Sequence, residues 1–153
     1  MWVSVDMRAH HDQIRASARQ VGNQHARAGG MIVNLDSVGG AHGLTALTSG
    51  FERLDAWVKA TAARADLPIA THSPLMANSD HANFAGHGIP AVRLIAGFNA
   101  PDSNLRFVLT AADTRDKVRK AELDEALRIA TALTWPALTA ADATLSSLAA
   151  GRG

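Results

Sequence analysis

The sequence predicts an α/β fold from three observations. Short apolar runs of strand length recur along the chain, longer segments with helical spacing of apolar residues separate them, and Gly, Pro and capping residues mark the joints. With 153 residues, 47% hydrophobic and 19% charged, the chain is one domain's worth and can bury a core.

In chain order, WVSVD alternates apolar and polar residues and predicts a strand over 2–5, followed by a polar segment with Ile14, Ala18 and Val21 at helical spacing. Gly29 and Gly30 end it. Met31-Ile32-Val33-Asn34-Leu35 then reads as a buried strand that stops at Asp36. Residues 37–50 are rich in Gly, Ser and Thr and predict a surface loop. Ser49 and Glu52 fit a capping box, after which Phe51, Leu54, Trp57, Val58, Thr61, Ala62 and Ala65 define an amphipathic helix. A brief strand over 67–71 and a loop over 73–78 follow. Ser79 or Asp80 is placed to cap a short helix through Phe84 and Ala85, ended by Gly86 and Gly88. Pro90 opens PAVRLIAG, a second buried strand. After a polar connection over 98–106 and the segment FVLTAADT, a long helix from Asp116 uses Val118, Leu123, Leu127, Ala130 and Leu133 until Trp135-Pro136 breaks it. The remaining Ala, Thr, Ser and Leu allow either a final helix or a frayed end.

Composition narrows the function classes. Fifteen Lys plus Arg against 14 Asp plus Glu leave a formal charge of +1 without a basic block, so neither nucleic acid nor an anionic membrane is an expected partner. No apolar run reaches the ~18 residues of a membrane span, and the start lacks the basic-then-apolar pattern of a signal peptide. Zero cysteines exclude disulfides, thiolate metal sites and cysteine nucleophiles.

Few residues stand out for chemistry. Asp36 directly follows a strand, which in open α/β sheets places it at the ligand-binding crevice; the competing reading is a turn cap. Ser79-Asp80-His81 contains the residue types of a serine hydrolase, but neighbours on one helical turn diverge and cannot form the nucleophile-base-orienter chain. Helix capping by Ser79 or Asp80, with His81 packed or exposed, is the simpler reading. None of the seven histidines, His10, His11, His25, His42, His72, His81 and His87, pairs at the i, i+4 spacing of a helical metal site. The two Gly-Gly pairs lack phosphate-loop and dinucleotide-binding patterns.

Together, NLDSVGG at 34–40, SDHANFAGHGIPAVRL at 79–94 and TAADTRDKV at 110–118 resemble, in order and spacing, the carboxyl half of the M28 zinc metallopeptidases. The resemblance implies a partial zinc-peptidase-like sheet flanked by helices, with the amino half of the family fold missing. It divides the chain into an amino-terminal strand and helix over 1–30, an M28-like half-domain over 31–136 and a tail over 137–153. Most M28 enzymes are aminopeptidases in which two zinc ions lower the pKa of a shared water, and a Glu removes its proton as the peptide carbonyl is polarised. By this resemblance Asp36 is a metal ligand, and Asp80 and His81 support the site without ligating.

The remaining family chemistry has no counterpart in the sequence. Leu109 occupies the position of the last zinc-binding His, no Glu-Glu pair exists, and Glu52, Glu122 and Glu125 fall in predicted helices. No catalytic residue is therefore assigned. One carboxylate does not hold a zinc ion that takes three or four protein ligands, so zinc, the family's cofactor, is not expected to be retained by this chain alone. The leading expectation is a fragment or degenerate member of the family, inactive by itself, whose complete relatives hydrolyse amino-terminal residues from peptides. The alternative is a non-catalytic module that binds peptide or assembles with itself through an unpaired sheet edge. A rearranged mononuclear site of Asp36, His81 and His72 or His42 is the remaining enzymatic option.

Overall fold

The computed structural model describes residues 30–151. The strand predicted over 2–5 and the helical segment through Val21 lie outside the described residues. Four strands, β1 (Ile32–Leu35), β2 (Leu44–Leu47), β3 (Ala70–His72) and β4 (Ala91–Ala96), form one mixed sheet in the order β1-β4-β2-β3. β1 is parallel to β4 and β2 is parallel to β3, while β2 and β4 run antiparallel. Helices α1 (Glu52–Arg64), α2 (His81–Gly86), α3 (Lys120–Thr139) and α4 (Asp142–Ser147) flank it, giving the α/β architecture that the periodicity predicts.

β4 takes a central position because nearly its whole run, AVRLIA, is apolar, and all six of its residues are buried. β1, expected to be buried, is instead an edge strand with partly buried residues and Leu35 47% exposed. The predicted loop over 37–50 is corrected more deeply: it contains β2, which lies between β4 and β3 with all four residues buried. Its run LTAL is too short, and too closely flanked by Gly, Ser and Thr, to announce itself. Only pairing on both sides stabilises it.

The strand registers place Asn34, Arg93, Leu47 and His72 in one row across one face of the sheet. The opposite face carries Thr48, whose hydroxyl donates to Asp55 of α1 at 3.3 Å. Leu44 and Ala46 share that alternation. They join Leu54 and Val58 of α1 and Ala126, Ile129, Ala130 and Leu133 of α3 in the main core. The segment entering α2 covers the Asn34–Arg93 face instead, through hydrogen bonds from Asn34 to Ser79 and from Arg93 to Asn78.

Helix boundaries differ from the pattern in instructive ways. α1 starts after Phe51 without a side-chain cap; Ser49 is buried with φ +60, so the Ser49–Glu52 capping box does not form. No side chain caps α2 either: Asp80 at its N-cap has helical φ and ψ and makes no capping hydrogen bond, and the Ser79 hydroxyl donates to Asp36 instead. Residues Arg115–Lys117 form a separate 3-10 turn before α3, which continues through Trp135-Pro136 to Thr139. Proline removes one i to i−4 bond, yet the helix continues past it, with Leu133 and Ala137 buried on either side. Leu123 and Leu127, predicted on the core face, are 46% and 66% exposed. The residues after Thr139 form α4, and Leu148 packs into the core. At the end of β4, Gly97 has φ +65 and a Cβ there would lie 2.4 Å from Ser103 Cβ, so only glycine fits this reversal. Among the described residues no helix is long and apolar enough to cross a membrane.

Candidate functional site

The site forms where β1 ends beside β4. The Asp36 backbone N–H donates to Leu94 O at 3.3 Å, which continues the pairing of the two parallel strands and fixes the carboxylate at their carboxyl ends. Its Oδ1 accepts a hydrogen bond from the Ser37 hydroxyl at 3.1 Å. Oδ2 accepts one from the Ser79 hydroxyl at 2.5 Å and lies 3.2 Å from Arg93 Nη2. Asn34 Nδ2 donates to Ser79 Oγ at 2.9 Å, and Arg93 Nη1 donates to Asn78 Oδ1 at 2.9 Å. Two sequence motifs 43 residues apart thus meet in one polar network. Asp36 keeps its local turn contact and also faces the crevice, with 40% of its side chain exposed.

Arg93 is the buried member, with 6% of its side chain exposed and its Nε without a hydrogen-bond partner among the described residues. Burial lowers its affinity for a proton and the Asp36 carboxylate opposes that shift. His81, the first residue of α2, is fully buried, and neither ring nitrogen has a hydrogen-bond partner among the described residues. Burial first, and then the Arg93 charge, push the imidazole down to about 4, against the pull of Asp36 and Asp80. His81 is therefore neutral at pH 7. Asp80 is exposed at the start of α2 and acts on this environment through its charge.

The sequence points to Asp36, Asp80 and His81 and offers Ser79 or Asp80 as a cap, but no local pattern marks Asn34 or Asn78; Arg93 carries a signal of its own. An arginine inside an otherwise apolar buried strand requires a partner, and only Asp, Glu or a set of polar acceptors can supply it.

The fit of a metal depends on the donors present. Among the described residues no group of three or more His, Asp or Glu side chains converges as a cation site would require. The optional rearranged site of Asp36, His81 and His72 or His42 does not assemble among the described residues. His42 pairs with Asp102 at 3.0 Å, and the His72 ring packs on Phe98 with centroids 4.9 Å apart. Leu109 sits on an exposed loop with φ +64, 83% exposed and without a donor atom. The one carboxylate placed for ligation already bears a guanidinium on Oδ2. The described residues do not fit a zinc centre.

No family model matches the chain, and no curated protein matches it. Solved structures do. An aminopeptidase from Aneurinibacillus sp. strain AM-1 superposes with a TM-score of 0.63 at 25% identity, over 81% of this chain and 29% of that one. Two structures of BSAP, a zinc aminopeptidase from Bacillus subtilis, superpose at 0.68 and 18% identity over 86% of this chain, and over 34% and 35% of theirs. The fold is thus aminopeptidase-like, and the chain spans about a third of the length of the aminopeptidases it matches.

Proposed function

We propose that this chain is a carboxyl-half element of an M28-type aminopeptidase scaffold and that by itself it does not hydrolyse peptides. The observation that carries this reading is the meeting of Asp36, from NLD, with Ser79, from SDH, at the carboxyl ends of β1 and β4. Both motifs belong to the resemblance, and their junction lies where α/β sheets bind ligands. The fold shared with zinc aminopeptidases supports the same reading. In a complete relative this corner would border a zinc site and a peptide's amino terminus. Here Asp36 is the metal position, and Asp80 and His81 stand beside it without ligating. Hydrolysis needs further ligands and a base that the described residues do not bring together. The test is hydrolysis of aminoacyl p-nitroanilides by the purified chain with added zinc. No turnover above buffer is expected, and chelator-sensitive turnover would reject the reading.

A second reading, a non-catalytic module that assembles or binds peptide, is favoured by an apolar strip on α3. Leu127, Trp135 and Leu138 are 66%, 66% and 73% exposed there. β1 and β3 also form the two edges of the described sheet.

A further inference from the structure

We infer that Arg93 is a built-in cation that replaces a metal ion as the counter-charge of Asp36. The inference rests on the M28 reading only for regarding Asp36 as a metal position; the ion pair stands on its own geometry. Three observations carry it.

First, Arg93 Nη2 lies 3.2 Å from Asp36 Oδ2, so the carboxylate's charge is already matched by a permanently protonated partner. The same oxygen accepts the Ser79 hydroxyl, and Oδ1 accepts that of Ser37, leaving the carboxylate engaged on both atoms. Second, the guanidinium has no route to another role. It projects from the middle of a fully buried strand, its side chain is 6% exposed, and Nη1 is held by Asn78. Asp36 is the one carboxylate that pairs with it among the described residues. Removing Asp36 would leave a buried, uncompensated charge, the costly half of a broken buried pair. Third, a divalent cation bound at Oδ2 would stand against this guanidinium, and like charges that close disfavour each other in a partly desolvated pocket. The register fixes the arrangement: Arg93 lies between Asn34 of β1 and Leu47 of β2, on the face that Asn78 and Ser79 cover. The corner therefore keeps the shape of a metal-binding strand end while the charge is supplied from within.

The test is a double-mutant cycle on the full chain: Arg93→Met, Asp36→Asn and the double variant, each unfolded in urea at pH 7. Each single substitution is expected to lower the folding equilibrium constant. The double variant should be at least tenfold more stable than the product of the two single effects predicts. Additive effects would overturn the inference. Should Arg93→Met not fold, Asp36→Asn alone decides. In nitrogen-15 spectra the Arg93 side-chain N–H signals of the wild type should be protected from exchange and become fast in Asp36→Asn; signals indifferent to that substitution overturn the inference. Cobalt(II) bound by the wild type and lost in Asp36→Asn would overturn it too. Peptidase turnover bears on the proposed function alone and does not alter the coupling that the cycle measures.

Discussion

At the residue scale, His81 should govern the acid sensitivity of the chain. Its folded pKa of about 4 lies below the unfolded value of 6.5, so the unfolded state takes up the proton first as pH falls. The associated stability is complete above pH 6.5 and is lost progressively down to pH 4, amounting to about 3 kcal/mol across that window. Burial of the imidazole is the main cause; the Arg93 charge adds to it, and Asp36 and Asp80 oppose it. Urea midpoints at pH 7 and pH 5 should differ in the wild type and converge in His81→Phe; an unchanged gap would remove His81 from this role. The sequence placed His81 beside a helix start but left its burial open, because burial depends on what covers α2. The position of Asp36 after an apolar run leaves both a crevice residue and a turn cap open. Its partners were not legible, since Ser79 and Arg93 reach it across chain separations that no local pattern encodes.

At the element scale, α3 separates periodicity from packing. The predicted stripe included Leu123, Leu127 and Leu133, but the buried stripe is Ala126, Ile129, Ala130, Leu133 and Ala137. Small alanines take three of these five positions, whereas a hydrophobicity pattern favours the larger leucines. Leu133→Ala should therefore cost about 2–5 kcal/mol, and Leu127→Ala under about 0.5 kcal/mol. Denaturant unfolding of the two variants checks this, and comparable losses would contradict the assigned face. Pro136→Ala should raise stability by about 1 kcal/mol or more, because it restores a backbone donor inside a continuous helix. A loss in thermal unfolding would show that the ring's packing outweighs the missing bond. β2 marks the opposite limit. Leu44 to Leu47 has no flanking signal of a strand, and its conformation follows from lying between β4 and β3.

At the scale of the whole molecule, the sheet leaves β1 and β3 as edges of the described residues, and α3 carries its apolar strip outward. Sheet edges left without a partner among the described residues and exposed apolar side chains on one helix both favour association. Sedimentation equilibrium of the full chain should give a mass above the monomer, reduced by Trp135→Glu. A monodisperse monomer at tens of micromolar would dismiss the assembly reading.

The sequence by itself determined the α/β class, the existence of strand β4 and the helix α1. Each rests on local information: a nearly unbroken apolar run or helical spacing. Tertiary structure alone decided the sheet order, the existence of β2, the burial of His81 and the pairing of Asp36 with Arg93. The physical reason is shared by all four. Strand pairing, desolvation and ion pairing are interactions between segments distant in the chain, and their free energies exist only once the fold brings those segments into contact.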